Sequence, residues 1–226
     1  MIEQERFSRT ALLLGNEQLK ALQNSHVMLL GLGGVGSYVA ESLARIGIGQ
    51  MTIVDNDIVA TSNINRQLPA LHSTIGQKKV EVVSRRLLDI SPTLKLNAVN
   101  QFYLPDDPVS IPEDCTFVAD AIDTISAKIH LACVCSEKNI PLISCMGMGN
   151  RLNPTMIKIG DLFDTSGCPL SRVMRRELRK RDIKKLRCIY SVESPKIQRV
   201  PGSVSYVPST AGLFMAYDIV NHIISN

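Results

Sequence analysis

The chain has 226 residues, a formal net charge of +4, 45% apolar and 20% charged residues, 4% aromatics and no Trp. That is enough chain to bury a sizeable core, with the composition of a soluble globular protein and too few aromatics for stacking to explain ligand binding. No apolar run approaches the roughly 20 residues a membrane span needs, and MIEQERFSRTALLLG, with early acids and no long apolar centre, does not read as a secretion signal; no membrane association and a cytoplasmic location are expected.

In chain order, NEQLKALQN at 16–24 reads as a short helix and HVMLL as a strand. SYVAESLARI sets Val39, Leu43 and Ile46 at helical spacing, and Gly47 stands where a glycine closes a helix. MTIV is continuously apolar, as in a strand buried on both faces. A polar loop, NDIVATSNINRQLPALHSTIG, leads to a helix from about Gln77 to Ile90, stopped by SP. LKLNAVN alternates like a strand, and QFYLPDDPVSIPEDC is proline-rich and irregular. TFVADAID is a strand ending in acids, TISAKIHLACVCSEKN a helix, and PLISCMGMGN a strand entering a loop. Strands alternating with helices imply parallel βαβ units. The expected fold is α/β: a doubly wound, mainly parallel sheet with a Rossmann-like nucleotide-binding half and a C-terminal extension.

Beyond about residue 150 the texture changes. TMIKIGDL is a strand, CPLSRVMRRELRKRDIKKLRCIYS a basic helix and strand, PGSVSYV another strand, and STAGLFMAYDIVNHIIS a closing amphipathic helix. Residues 1–226 are expected to form one domain, with a nucleotide-binding core over about 25–150 and a basic extension over about 151–226. Six cysteines, at 115, 133, 135, 145, 168 and 188, contain no C-x-x-C pair, which argues against a structural zinc ribbon. Cys133 and Cys135 lie two apart on a predicted helix and so point to different faces. The four histidines are scattered and read as structural. Met146 and Met148, beside glycines, are read as filling space rather than lining a site.

Gly31, Gly33 and Gly36 form G-x-G-x-x-G between a predicted strand and helix. Gly31 permits the turn, Gly33 lets backbone N–H groups approach phosphate, and Gly36 lets helix and strand pack closely. The helix start adds free N–H donors and the positive end of its dipole. Asp55, 19 residues after Gly36, suits a carboxylate that accepts bonds from ribose hydroxyls. Alone, the motif favours a nicotinamide cofactor. The following loop argues otherwise. NINRQ and GQKKVE bring Arg66 and Lys79 toward the same phosphates, and two more cations make sense against a triphosphate whose pyrophosphate departs. Asp123, at the end of ADAID, is placed to hold Mg²⁺ with phosphate oxygens.

As an ordered set, RFSRT, GLGGVGS, DNDIV, NINRQ, GQKKVE and DAIDT resemble the adenylating enzymes of the ubiquitin-activating superfamily, which includes the thiamin and molybdopterin sulfur-carrier activators. The resemblance implies ATP and Mg²⁺ as ligands. It implies a nucleotide site built from Gly31, Gly33, Gly34, Gly36, Asp55, Asp57, Asn63, Arg66 and Lys79. Arg9, Arg66, Lys79 and Asp123 would be catalytic, with Asp123 on the metal. Arg9 would cross a homodimer interface to the partner's ATP. SCMGMGNRLNPTMIKIGDL, PLSRVMRRELRKR, YSVE and PGSVSYVPSTAGL narrow the likeness to the tRNA threonylcarbamoyladenosine dehydratases, which use ATP to cyclise a threonylcarbamoyl group on an adenosine beside the anticodon. The family also admits a sulfur-transfer protein as a partner. Where that branch often reads DPL, this chain has CPL at 168–170, and neither Cys168 nor Cys188 is given a role.

Residues 172–187 hold nine Lys or Arg against two acids, so the positive charge is concentrated. Leu170, Val173, Met174 and Leu178 make one apolar stripe, leaving Arg172, Arg175, Arg176, Arg179 and Lys180 to face outward as a footprint for tRNA phosphates. The leading expectation is an ATP-dependent, acyl-adenylate-forming cyclising enzyme on tRNA. The alternatives are an activator of a ubiquitin-like or sulfur-carrier protein, an NAD-dependent oxidoreductase, and a non-catalytic tRNA-binding module.

Overall fold

The computed structural model describes residues 5–196 and 201–225. Two short helices, α1 (Ser8–Leu14) and α2 (Asn16–Gln23), precede strand β1 (His26–Leu30). Then come α3 (Gly36–Ile46), β2 (Gln50–Val54), α4 (Lys79–Ile90), β3 (Lys95–Val99), β4 (Phe117–Asp120), α5 (Ile125–Glu137) and β5 (Leu142–Cys145). The C-terminal part adds β6 (Ile157–Asp161), α6 (Pro169–Arg179), β7 (Arg187–Ser191) and α7 (Tyr206–Ser225).

The seven strands form one sheet in the order β3-β2-β1-β4-β5-β7-β6. All neighbours pair parallel except β6, which runs antiparallel to β7 at the edge. β1, β2 and β4 are almost wholly buried, as their unbroken apolar runs require of strands covered on both faces. On one face α3 and α7 cover the largest cluster, with Leu29, Leu43, Ile53 and Met215 fully buried. That cluster also takes in Ile157, Ile189 and Val207, so the last third shares the core of the first two. On the other face α5 packs over Met28, Leu30 and Val118. A third cluster joins α6 to α5 through Ala132, Met174, Leu178 and Cys188. Cys133 and Cys135 point to different clusters.

Gly47 closes α3 in left-handed conformation, with φ 101°. The strand expected in PGSVSYV does not form: 201–205 are irregular, and Tyr206 and Val207 open α7. The alternation of that stretch mimics a strand, but Val207, Pro208, Ala211, Gly212, Met215 and Ala216 are buried at helical spacing, and Pro208 suits a first helical turn. Gly212 permits the close α3–α7 approach, since a Cβ there would lie 2.5 Å from Val35 O. No helix among the described residues is long and apolar enough to cross a membrane.

His26 bridges Asp114 at 2.8 Å and Thr52 at 2.9 Å. His130 meets the Tyr103 hydroxyl at 3.1 Å, and His222 lies edge-on to Phe117. These partners give the three histidines structural roles.

Candidate nucleotide-binding site

The order β3-β2-β1-β4 makes the chain turn to opposite sides after β1, so the loops leaving β1 and β4 part and open a crevice at the carboxyl ends of the strands. A cleft of about 970 Å³ lies there. Its lining brings together residues far apart in sequence: Gly31, Gly33 and Gly34 after β1, Asp55 and Asp57 after β2, Asn63 and Arg66, Lys79 at the start of α4, and Asp123 after β4.

The glycine turn is sterically obligatory at two points. Gly31 has φ 87°, and a Cβ there would meet Ala121 O at 2.7 Å. Gly36, the first residue of α3, would place a Cβ 1.8 Å from Gly31 O. A Cβ on Gly33 would meet only the end of the Gln67 side chain, 3.7 Å away, so its backbone is open to the cleft. Asp55 directly follows β2 with its carboxylate fixed: Leu32 N–H donates to Oδ2 at 2.6 Å and Asp57 N–H to Oδ1 at 2.8 Å. Burial pushes this carboxyl above the ordinary range, opposed by the Lys79 cation and the two N–H donors.

Lys79 is 3% exposed, and its Nζ donates to Asp57 Oδ2 at 2.7 Å. Arg66 donates to Ser62 O and Asn65 Oδ1, both at 2.8 Å. Both cations therefore rest on groups within the cleft wall. The Asn63 side chain accepts from Ala60 N–H at 3.1 Å, which holds the turn that presents Arg66. Asp123 is exposed. Arg9 is exposed on α1 and does not line its own chain's cleft.

Several lining residues carry no motif. Gln101, Phe102 and Tyr103 close one side after β3; Gly147, Met148 and Gly149 after β5 and Pro201–Ser203 before α7 close the other. Met146, by contrast, is buried in the cluster under α6. Asn65 Nδ2 donates to Ser203 O at 3.0 Å, and Gly202 N–H to Asn150 Oδ1 at 2.6 Å, so the wall before α7 is clipped to both sides. The crevice rule for α/β sheets points to the loops after β3 and β5, but not to the 201–203 segment.

The basic run forms α6, the turn after it and the first residue of β7. Leu170 is close to the cleft loop: a Cβ on Gly147 would meet Leu170 Cβ at 4.0 Å. Met174 and Leu178 are fully buried. The five named cations do not all face outward. Arg175 is partly buried, bonding Thr165 O at 2.8 Å and Thr165 Oγ1, because it falls on the flank of the stripe and secures the turn at 162–165. Arg172 is exposed, and Arg179 is exposed over the Phe163 ring. Glu177 gathers Arg176 at 3.0 Å, Lys180 at 2.9 Å and Arg181 at 3.3 Å. Lys180, Arg176 and Arg181 hold its carboxyl down to about 2.

None of the six cysteines lines the cleft. Burial pushes the thiols of Cys115, Cys133, Cys135, Cys145 and Cys188 up. Cys168, which precedes α6, is held below the ordinary value: burial opposes the shift, but bonds from Ser171 and Gly147 and the Arg151 charge outweigh it.

A model of the ThiF family matches residues 7–225. The tRNA threonylcarbamoyladenosine dehydratase of Bacillus subtilis is 41% identical over 97% of this chain and 95% of its own. The crystal structure of E. coli tRNA N6-threonylcarbamoyladenosine dehydratase in complex with ATP superposes with a TM-score of 0.92 at 32% identity, covering 98% of this chain and 95% of that one. The molybdopterin-synthase adenylyltransferase of Salmonella typhimurium is 35% identical, over 63% of this chain and 58% of its own. The nicotinamide reading finds no support in these likenesses.

Proposed function

The chain belongs to the ThiF family, and from that premise we propose that it is a tRNA threonylcarbamoyladenosine dehydratase that uses ATP. The observation that carries this reading is the convergence of Gly33, Asp55, Arg66, Lys79 and Asp123 on one cleft, in a chain similar to dehydratases over nearly its whole length.

In this reading the N–H groups of the Gly31–Gly36 turn meet phosphate oxygens and Asp55 accepts from the ribose hydroxyls. Lys79 moves from Asp57, and Arg66 from Ser62 and Asn65, onto the triphosphate. Among the described residues no group of three or more His, Cys, Asp or Glu side chains is placed to cage a metal. The exposed Asp123 carboxylate fits Mg²⁺, which accepts one carboxylate and fills its other positions with phosphate oxygens and water; bound there, it would screen phosphate charge.

The free carboxylate of the threonylcarbamoyl group attacks the α-phosphorus of ATP, and the bond to pyrophosphate breaks. The carbamoyl group then closes on the activated carbonyl, gives up a proton to solvent and expels AMP. This second step is intramolecular, so positioning supplies much of its rate, and no protein nucleophile is required. Arg9, exposed on α1 beside Leu12 and Leu13 at 84% and 85% exposure, reaches the cleft of a second copy in a homodimer. The enzyme works in the cytoplasm.

The test is to incubate the protein with ATP, Mg²⁺ and threonylcarbamoyl-tRNA and weigh the modified nucleoside. Loss of one water with stoichiometric AMP is expected. Unchanged mass with folded enzyme, or pyrophosphate exchange that depends instead on a carrier-protein tail, rejects the reading.

The exposed cations of α6 bind tRNA phosphates. Charge reversal of Arg172, Arg176 and Arg179 is expected to weaken tRNA binding without unfolding the protein, leaving the inward Arg175 in place. Glu177→Gln frees three cations and is expected to tighten binding and steepen the log–log salt dependence by about one to two units. A salt titration of tRNA binding in which neither variant differs from the parent removes α6 from the interface.

A further inference from the structure

Lys128, on α5, is 1% exposed and ends among oxygens. Its Nζ donates to Asp120 Oδ1 at 3.0 Å and Oδ2 at 2.9 Å, to Ser144 Oγ at 3.2 Å and to Cys145 O at 2.8 Å. Ser144 Oγ donates to Asp120 Oδ2 at 2.5 Å, and Ile122 N–H to Asp120 Oδ1 at 3.2 Å. Every polar atom of this buried network has a partner. Such an ion pair is nevertheless a poor device for stability alone, because desolvation offsets most of its attraction and apolar replacements are often neutral.

The location of the network gives it another use. Asp120 is the last residue of β4 and Cys145 the last of β5. The loops that leave these two ends, 121–124 with Asp123 and 146–149 with Gly147 and Met148, line the cleft from different sides. Asp120 also holds the first of them directly through Ile122 N–H. Lys128 thus ties together the roots of two cleft walls.

We propose that Lys128, with Asp120 and Ser144, is a positioning unit that fixes the Asp123 loop against the β5 loop and so sets the metal-dependent part of ATP binding. The proposal rests on the reading that the cleft takes ATP with a divalent cation at Asp123. Lys128 touches neither; it acts through the strand ends.

The test compares Asp120→Asn/Lys128→Met, Ser144→Ala, Asp123→Asn and the parent by thermal melting and by ATP titration, with Mg²⁺ and with chelator. The double variant removes both charges together and is expected to stay folded. Its affinity for ATP in chelator should match the parent's, while the Mg²⁺ concentration needed for full ATP binding rises about tenfold, the usual cost of removing support behind a metal ligand. Ser144→Ala should shift it in the same direction by less. A purely structural network would lower the melting temperature and leave the Mg²⁺ dependence alone. Parental Mg²⁺ dependence in the double variant, with Asp123→Asn altered, overturns the positioning role only. Parental dependence in Asp123→Asn as well overturns the metal assignment and the proposal together. If the double variant does not fold, unchanged Mg²⁺ dependence in Ser144→Ala overturns it.

Discussion

Lys79→Met is expected to lower the rate of AMP formation by about 10²–10³-fold, the usual loss when one preorganised charge partner of a transition state is removed. The fold should survive. The Lys79 side chain is buried, so a methionine of similar length fills the same space, and Asp57, left without its cation, is 59% exposed and remains hydrated. Arg66→Ala should give a loss of the same order and also keep the fold, since the partners it leaves, Ser62 O and Asn65 Oδ1, are exposed. Single-turnover assays separate chemistry from binding: both variants should retain ATP affinity within about tenfold while the adenylation step falls. Loss of ATP binding alone, with parental chemistry at saturation, would show that these cations only hold the ground state.

The same substitution has a pH signature. Burial raises the Asp55 carboxyl and Lys79 partly counters it, so Lys79→Met drives the carboxyl higher still. Ribose hydroxyls need the ionised form, and ATP affinity is therefore lost as pH falls through the folded-state value. In the variant that acid limb should lie at higher pH. Stability follows the opposite sign. A carboxyl raised on folding contributes stability fully only below its unfolded value and loses it as pH rises through the folded one. Through Asp55, mild acidification should then weaken ATP binding without lowering the melting temperature. ATP titrations and melts at matched pH would show it; coincident loss of both would place the acid limb elsewhere.

A feature of this fold is legible in the sequence to the extent that it is local. The glycine turn, the strand-end Asp55 and the parallel αβ alternation are local, since each is set by a few neighbouring residues and a hydrophobic period. They match the observed sheet and place Gly31, Gly33 and Asp55 on one cleft. Arg66, Lys79 and Asp123 were visible as residue types near element ends. Their resting contacts were not: the Lys79–Asp57 pair depends on how the loop after β2 folds back against α4. Non-local features escaped. Lys128 belongs to no motif, and only the pairing of β4 with β5 brings Asp120 and Ser144 together. Arg175 reads as exposed until the turn at 162–165 is in place. The PGSVSYV stretch reads as a strand from its alternation, but alternation over a few residues cannot compete with the α3 surface that α7 buries.

Gly36→Ala and Gly49→Ala form the sharpest pair of backbone tests. A Cβ on Gly36 would sit 1.8 Å from Gly31 O, and one on Gly49 would sit 1.7 Å from Gln23 O. Both meet backbone that cannot rotate away, so each must push an element aside, at a cost on the order of 3 kcal/mol. For a domain of this size that lowers Tm by roughly 10 °C. The two positions differ in place. Gly36 packs the start of α3 onto the phosphate-facing turn, whereas Gly49 joins α3 to the amino end of β2, where Gly49 N–H donates to Leu22 O at 3.1 Å. Measured well below both melting points, Gly49→Ala should bind ATP like the parent. Gly36→Ala should bind it at least about tenfold more weakly, because misplacing the N–H cradle costs a charge-assisted hydrogen bond or more. Equal melting losses with equal, parental ATP affinities would mean that the turn after β1 tolerates displacement. The phosphates would then have to be held by the cations alone.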